Sequence, residues 1–596
     1  MRRKICLSIV LTFVSYYAFS IDVDTAKKVA LSFFNQPYTR SEMVEPELLW
    51  DGLWDARTDD GVQPPFYVFG ADNGGYVVVA GYEAAYPVLG FSRTASFDKD
   101  NLSPGETYLY QWMGAVVTQA RVNGLMPTSR VSSEWAMCLA GEVSTDGNEV
   151  VLETADWDQS DPYNRLCPAV NGQRCVTGCV NTATAIIMHY HKWPHSGSGS
   201  LPSYKLWGRE FGGHSLGHTY DWDCMPLNYQ QGGFSDYQAG QVAQIMYDLG
   251  VMNESDYGVY ETGTNLNYAR LVEYFDYDPS ILELSRTGFS DAEWEALIRN
   301  EIDAGRPVYF TGSDIVHNSH AFLIDGYRGR YFSMNLGWGG SDNRFYTLTL
   351  IDGLEQDVPY YYRAQGVVIN IKPYEGGKPS CFLTKTNYIY IYDWNYKSGE
   401  PFNINKFTVL KSGLLDVYCC DLAYGLVDKD GHIKEIISSP VRAEIKHSFQ
   451  TEDDVQCIVT SDLSADDTIR LCYRDLETNV WDVMHSSPQG ILSMLHNSPL
   501  HSLCSVNYGE YIDKKSYVAF RELEIGVPIG VCLKFYDENG ALIPIEDGRL
   551  ICDEFEVNLS RSSKRLTLRK KRDQGYHKLK VQLYDMLDEY SFDVIF

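Results

Sequence analysis

Cys179 closes the stretch Gln173-Arg174-Cys175-Val176-Thr177-Gly178-Cys179 and runs directly into Val180-Asn181-Thr182-Ala183-Thr184-Ala185-Ile186-Ile187-Met188. A thiol at the mouth of an apolar helix can act as a nucleophile. Unpaired backbone N–H groups and the positive end of the macrodipole both favour S⁻ over SH there. A free cysteine titrates near 8.5, and pairing with imidazolium at a helix start can bring it down to about 3–4. The imidazole that would complete such a pair is His320, in Ser319-His320-Ala321-Phe322-Leu323-Ile324-Asp325-Gly326. It lies about 140 residues downstream, a separation known between the cysteine and histidine of thiol hydrolases.

His317 is a neighbouring rival, and Ala321-Phe322 directly after His320 favours the latter. Asn335, in Met334-Asn335-Leu336-Gly337-Trp338-Gly339-Gly340, is a candidate to fix the ring and its tautomer through a hydrogen bond, with Trp338 sheltering that bond from water. Acyl transfer through a tetrahedral intermediate also needs donors for an oxyanion. The backbone N–H of Cys179 would supply one and a side-chain amide the other. Gln173, six residues before the cysteine, and Gln159, in Trp157-Asp158-Gln159-Ser160-Asp161-Pro162-Tyr163-Asn164, both qualify, and spacing does not choose between them. Taken singly, each residue has a plainer reading: a buried hydrophobe for the cysteine, a hydrogen-bonded core residue for the histidine, a turn for an asparagine before glycines. Their combination is what points to chemistry.

The 596 residues are enough for about four domains, and an apolar share of 44% supplies several cores. A net charge of −29 argues against nucleic acid or an anionic membrane as the main partner. Arg2-Arg3-Lys4, the apolar run Ile5 to Phe19 and small Ser20 read as a signal peptide over residues 1–20, so the chain is expected to be exported, as a secreted, periplasmic or cell-surface protein. No later apolar run is long enough to span a bilayer. Of the 14 cysteines, an odd number remains once those of the leader, the segment expected to be cleaved and the nucleophile are set aside. Several of the rest sit inside strand-like runs, which predicts reduced core thiols more than a disulfide framework.

Ala26, Val29, Ala30, Phe33 and Phe34 recur at helical spacing after Asp24, which is expected to be the N-cap. The runs Pro65 to Phe69 and Tyr76 to Ala80, joined by Ala71-Asp72-Asn73-Gly74-Gly75, predict a β-hairpin. Residues 21–147 thus form a small α+β unit that ends in a polar linker at 141–149 suited to proteolysis. Residues 148–375 are expected to form the α+β chemical domain. Its helices fall at Val180 to His191 and Glu293 to Ala304, and its strands at Pro307 to Thr311, Ala321 to Ile324, Tyr331 to Asn335 and Gly366 to Ile371. Short alternating strands beyond Gly376-Gly377-Lys378-Pro379 predict two β-sandwich modules, at 376–490 and 491–596.

Together these motifs resemble the streptopain family of bacterial papain-like cysteine proteases. The matching stretches are Gln159 to Asn164, Gly178-Cys179-Val180 with Thr182 to Ala185, Tyr190-His191-Lys192-Trp193-Pro194, Trp294-Glu295, Pro307-Val308-Tyr309, His320-Ala321-Phe322, Asp325-Gly326 and Asn335 with Gly337 to Gly340. Gly75 to Gly81 and Pro87 to Gly90 resemble the family's inhibitory pro-segment. The resemblance implies a zymogen that hydrolyses protein or peptide substrates, with its own pro-domain as intramolecular inhibitor and no cofactor. It implies Cys179 as nucleophile, His320 as general base and then acid, Gln159 as the side-chain oxyanion donor, and Asn335 with Trp338 around the ring. It thereby favours Gln159 over Gln173. Two positions depart from the pattern: Ser319 replaces a glycine and Leu336 a tryptophan.

Those departures leave an alternative, an exported binding or adhesion protein with an inert protease-like domain. A transglutaminase-like acyl transferase would use the same pair but has no motif behind it. Metal binding is not expected: His189 and His191 fall on different helix faces, and Pro194 breaks the register with His195. Asp428-Lys429-Asp430-Gly431 lacks the distal glutamate of a calcium loop and predicts a hairpin turn.

Overall fold

The structure is a computed structural model that describes residues 19–35, 44–54, 63–72, 74–143, 147–313, 319–340, 343–351, 365–386, 389, 399–461 and 467–486, and the strands alone from 492 to 595. The expected signal peptide, apart from its last two residues, and His317 lie outside the described residues.

Helix α1 (Val23–Phe34) buries Ala26, Val29, Ala30, Phe33 and Phe34, the five positions its spacing marked. Its N-cap is Asp22 and not Asp24: the Asp22 carboxylate accepts the Thr25 N–H at 2.7 Å, and Asp24 falls within the first turn. Strands β1 (Glu47–Trp50), β2 (Phe66–Gly70), β3 (Tyr76–Ala80) and β4 (Val88–Ser92) follow, and β2 pairs with β3 as the expected hairpin. Helix α2 (Pro104–Val122) opens with a capping box in which Ser103 Oγ accepts the Glu106 N–H and Glu106 accepts the Ser103 N–H. Such a cap is worth about 1 kcal/mol and fixes where the helix begins. Helix α3 (Ser129–Leu139) then leads to β5 (Glu149–Val151) and the short hairpin β6 (Ala169–Val170) and β7 (Gln173–Arg174).

Helix α4 (Cys179–His191) is followed by hairpin β8 (Ser203–Leu206) and β9 (Arg209–Gly212), and by helices α5 (Asp236–Met252) and α6 (Tyr268–Phe275). Next come β10 (Leu282–Ser285), α7 (Asp291–Asp303), β11 (Val308–Ser313), β12 (Ser319–Arg328), β13 (Tyr331–Asn335), β14 (Arg344–Thr347) and β15 (Gln365–Ile369). These strands form one eleven-stranded sheet in the order β1-β2-β3-β4-β14-β13-β12-β11-β15-β10, with β5 also on β12. The sheet crosses the boundary expected near residue 147. β4 pairs with β14 through Phe91↔Phe345 and Gly90↔Tyr346, the Phe91 and Phe345 rings stack at 5.4 Å, and a Cβ on Gly90 would sit 2.4 Å from the Tyr346 ring.

Strand alternation divides this sheet between two cores. Phe310, Phe322 and Ile324 face the cluster built by α1, α2, α3 and α7, whereas Tyr309, Ala321 and Leu323 face the cluster built by α4, α5 and α6. The strand carrying His320 is therefore covered by the N-terminal segment on one face and by the Cys179 helix on the other.

Beyond residue 376 the structure is β-rich. A four-stranded sheet and a seven-stranded sheet are followed, from Gly509 on, by a five-stranded and a three-stranded sheet. The expected turn at Asp428 to Gly431 joins Tyr418–Val427 to Ile433–Ile436, with the Asp428 carboxylate accepting the N–H groups of Asp430 and His432. Among the described residues no helix is long and apolar enough to cross a membrane.

Candidate active site

Cys179 is the first residue of α4, behind Gly178 at φ 89°. That left-handed backbone favours glycine, and a Cβ there would also meet Thr262 O at 2.9 Å. Partial burial pushes the Cys179 thiol up. The charge of His320, a hydrogen bond with its ring and the backbone N–H groups of Ala321 and Val180 outweigh that, and hold the thiol below its ordinary range. The thiol and the ring that sequence spacing singled out therefore lie within reach of each other.

His320 is the second residue of a ten-residue β12, longer than the apolar run predicted, and pairs with Gly312 of β11. It is buried, and its Nε2 has no hydrogen-bond partner among the described residues. Helix α2 covers it. A Cβ on Gly105 would lie 3.0 Å from His320 Nε2 and 3.1 Å from the Leu336 Cβ, so the backbone of α2 approaches the ring as closely as only glycine permits. Three residues on, Tyr108 fills the space beside Gly312, where a Cβ would come within 1.8 Å of the phenol oxygen. The N-terminal part of α2 therefore lies directly over the His320 ring and the neighbouring strand at Gly312. Leu336, fully buried, belongs to the same N-terminal core, and exposed Ser319 shares a 2.8 Å hydrogen bond with Ser313.

Asn335 ends β13 and does not hydrogen-bond His320 in this form of the chain. Its Nδ2 donates to Thr154 Oγ1 and to Ala155 O, each at 3.0 Å, and its Oδ1 accepts the Gly337 N–H at 3.2 Å. The Thr154 hydroxyl in turn donates to Asp325 Oδ2 at 2.6 Å. Burial raises the Asp325 carboxyl to about 6, against hydrogen bonds from Thr154 and Ser333. Trp338 is half-buried against the N-terminal core.

The two glutamines separate cleanly. Gln173 is exposed on the β6–β7 hairpin, whereas Gln159 is buried, and its carbonyl accepts the Thr177 N–H at 3.1 Å on the approach to Cys179. His189 and His191 part as expected: His189 shares a hydrogen bond with Met225 O and lies 4.7 Å from the Trp157 ring, while His191, pushed by burial to about 4, sits near Ile371.

Sequence reasoning did not find Thr154, Gly105, Tyr108 or the loop at 256–263. That loop flanks the nucleophile, with Thr262 Oγ1 donating to Val176 O at 2.7 Å. A threonine after a linker and a glycine in a helix carry no local signal; they act through partners about 170 to 215 residues away in sequence, which pattern reading does not reach.

Residues 157–346 match the peptidase C10 family, and residues 18–117 match the Spi protease inhibitor family. Streptopain of Streptococcus pyogenes is 30% identical over 334 residues, covering 52% of this chain and 80% of that protein. The thiol protease/hemagglutinin PrtT of Porphyromonas gingivalis is 28% identical over 388 residues, covering 61% of this chain and 43% of that one. Among solved structures, a fragment of prointerpain A from Prevotella intermedia is 28% identical, covers 55% of this chain and 99% of its own, and aligns with a TM-score of 0.43.

Proposed function

The chain belongs to the peptidase C10 family and is a cysteine endopeptidase made with an inhibitory pro-segment, and we propose that Cys179 and His320 are its catalytic pair. The observation that carries this assignment is the thiol at the head of α4, held below its ordinary range by the ring of His320 despite burial. In the mature enzyme the Cys179 thiolate attacks a peptide carbonyl, and the oxyanion that develops meets the Cys179 N–H and the side-chain amide of Gln159. His320 gives its proton to the leaving amine, then takes one from the water that hydrolyses the acyl-enzyme. Asn335, with Trp338 beside it, orients the ring once the pro-segment has left.

The zymogen reading explains the geometry of α2. With Gly105 over His320 and Tyr108 beside Gly312, the ring is covered and a peptide has no room to lie across it. Cleavage in the polar linker at 141–149 would release this segment, and residues 148–375 would remain as the papain-like unit. Separate groups of sheets before and after Gly509 support two β-sandwich modules, although the seven-stranded sheet runs past the boundary expected at 490 through Leu492–Leu495 and Ser502–Leu503, and export through the leader at 1–20 fits a secreted or cell-surface enzyme.

Labelling the processed enzyme with an irreversible epoxide inhibitor of thiol proteases should modify Cys179 stoichiometrically, and Cys179→Ala should abolish both peptide hydrolysis and self-processing. Full hydrolysis by that variant would remove the assignment.

A further inference from the structure

The segment that follows the linker is stitched into the site. Strand β5 pairs with the far end of β12 through Val151↔Gly326 and Val150↔Tyr327, and the Leu152 N–H donates to Asp325 O at 2.8 Å. This carries Thr154 between two buried polar groups, Asp325 and Asn335, which lie on adjacent strands. The hydrogen bonds then have only one consistent direction. A carboxylate accepts and does not donate, so the Thr154 proton is committed to Asp325 Oδ2 at 2.6 Å. The hydroxyl oxygen can then only accept, and it takes one N–H of the Asn335 amide; Ala155 O takes the other. The amide is thereby fixed one way round, with its oxygen turned to the Gly337 N–H and one lone pair left over.

We propose that Thr154 is a positioning residue for peptide hydrolysis: anchored on Asp325, its hydroxyl sets the orientation of the Asn335 amide so that the amide oxygen is presented to the His320 N–H in the mature enzyme. The proposal rests on the role of Asn335 given above. It also assigns a function to residues 149–155, which processing must leave attached to the catalytic unit because they hold β12 and the asparagine together.

The test compares processed Thr154→Val, Thr154→Ser and Asn335→Ala enzymes by steady-state kinetics and thermal melting. Valine keeps the shape and removes the hydroxyl, whereas serine keeps the hydroxyl. The expected result is a kcat about tenfold lower for Thr154→Val with KM unchanged, the loss of one oriented hydrogen bond, and a kcat within about twofold of the parent for Thr154→Ser. Asn335→Ala should lose at least as much, and the Thr154→Val, Asn335→Ala double variant should lose no more than Asn335→Ala alone. If Thr154→Val does not fold, Thr154→Ala is read in the same way. Unchanged kcat in the threonine variant beside an impaired Asn335→Ala overturns this inference alone, whereas full activity in Asn335→Ala overturns the reading of Asn335 on which it rests. Equal losses in the valine and serine variants, accompanied by lower melting temperatures, would assign Thr154 a packing role only and also overturn the inference.

Discussion

At the head of α4 and in the β-rich region beyond residue 376, the chain holds thiols under opposite regimes. Cys420 and Cys472 are fully buried inside strands, and desolvation pushes each up to about 12. Cys179 is also penalised by burial, yet it ends below the ordinary thiol range because His320 and two backbone N–H groups stabilise the anion. Desolvation acts on all three of these thiols; what differs is whether a cation and oriented donors stand close enough to reverse it. The lowered thiol is thus a property of the junction between α4 and β12, whereas Cys420 and Cys472 are core residues of their strands.

The sharpest test of that contrast is alkylation of the processed enzyme with a neutral reagent at pH 7. Cys179 should react at least about 1000-fold faster than Cys420 or Cys472, as their thiolate fractions require, with sites and rates read by mass spectrometry. The sign follows from the lowered value: reactivity at Cys179 is already present below the ordinary thiol range and fades only as pH falls through the lowered one. His320→Ala should move that midpoint upward. Comparable rates at Cys179 and Cys472 would erase the distinction between the two regions.

A smaller effect separates the buried and exposed glutamines. Gln159→Ala should lower kcat by about 100-fold to 1000-fold as an oxyanion donor is lost, while Gln173→Ala, on an exposed hairpin, should leave turnover unchanged. The reverse pattern would transfer the role to Gln173. The smallest effect concerns the pro-segment. Tyr108→Ala empties the space beside Gly312, and hydrolysis of a small peptide by the unprocessed chain should rise about tenfold as the cover over His320 loosens. No rise would mean that Gly105 and the β4–β14 pairing hold the segment without help from the phenol.

Much of the site could be read from local pattern. The Gly178-Cys179 junction, the Ala321-Phe322 signature after His320 and the apolar spacing of α1 each express a rule acting over a few residues: a left-handed turn, an alternating strand, a helical stripe. The N-cap is less legible, because Asp22 and Asp24 stand two apart and only the backbone shows that the Asp22 carboxylate meets the Thr25 N–H. The choice between Gln159 and Gln173 had the same character. Both lie near Cys179 in sequence, and burial distinguishes them only once the chain has folded.

The sequence by itself singled out Cys179 and His320 as a candidate pair and pointed to a mixed α+β class with further β-sheet regions, because these are written in residue types at short spacing, while its resemblance to a known family implied the papain-like core and the inhibitory N-terminal segment. The tertiary structure alone decided that this segment extends the catalytic sheet through β4 and β14, that Gly105 lies against the ring of His320, and that Thr154 links Asp325 to Asn335. The physical reason is range. Propensity and periodicity act between near neighbours in the chain, whereas the direction of a buried hydrogen bond depends on groups that only the completed sheet brings together.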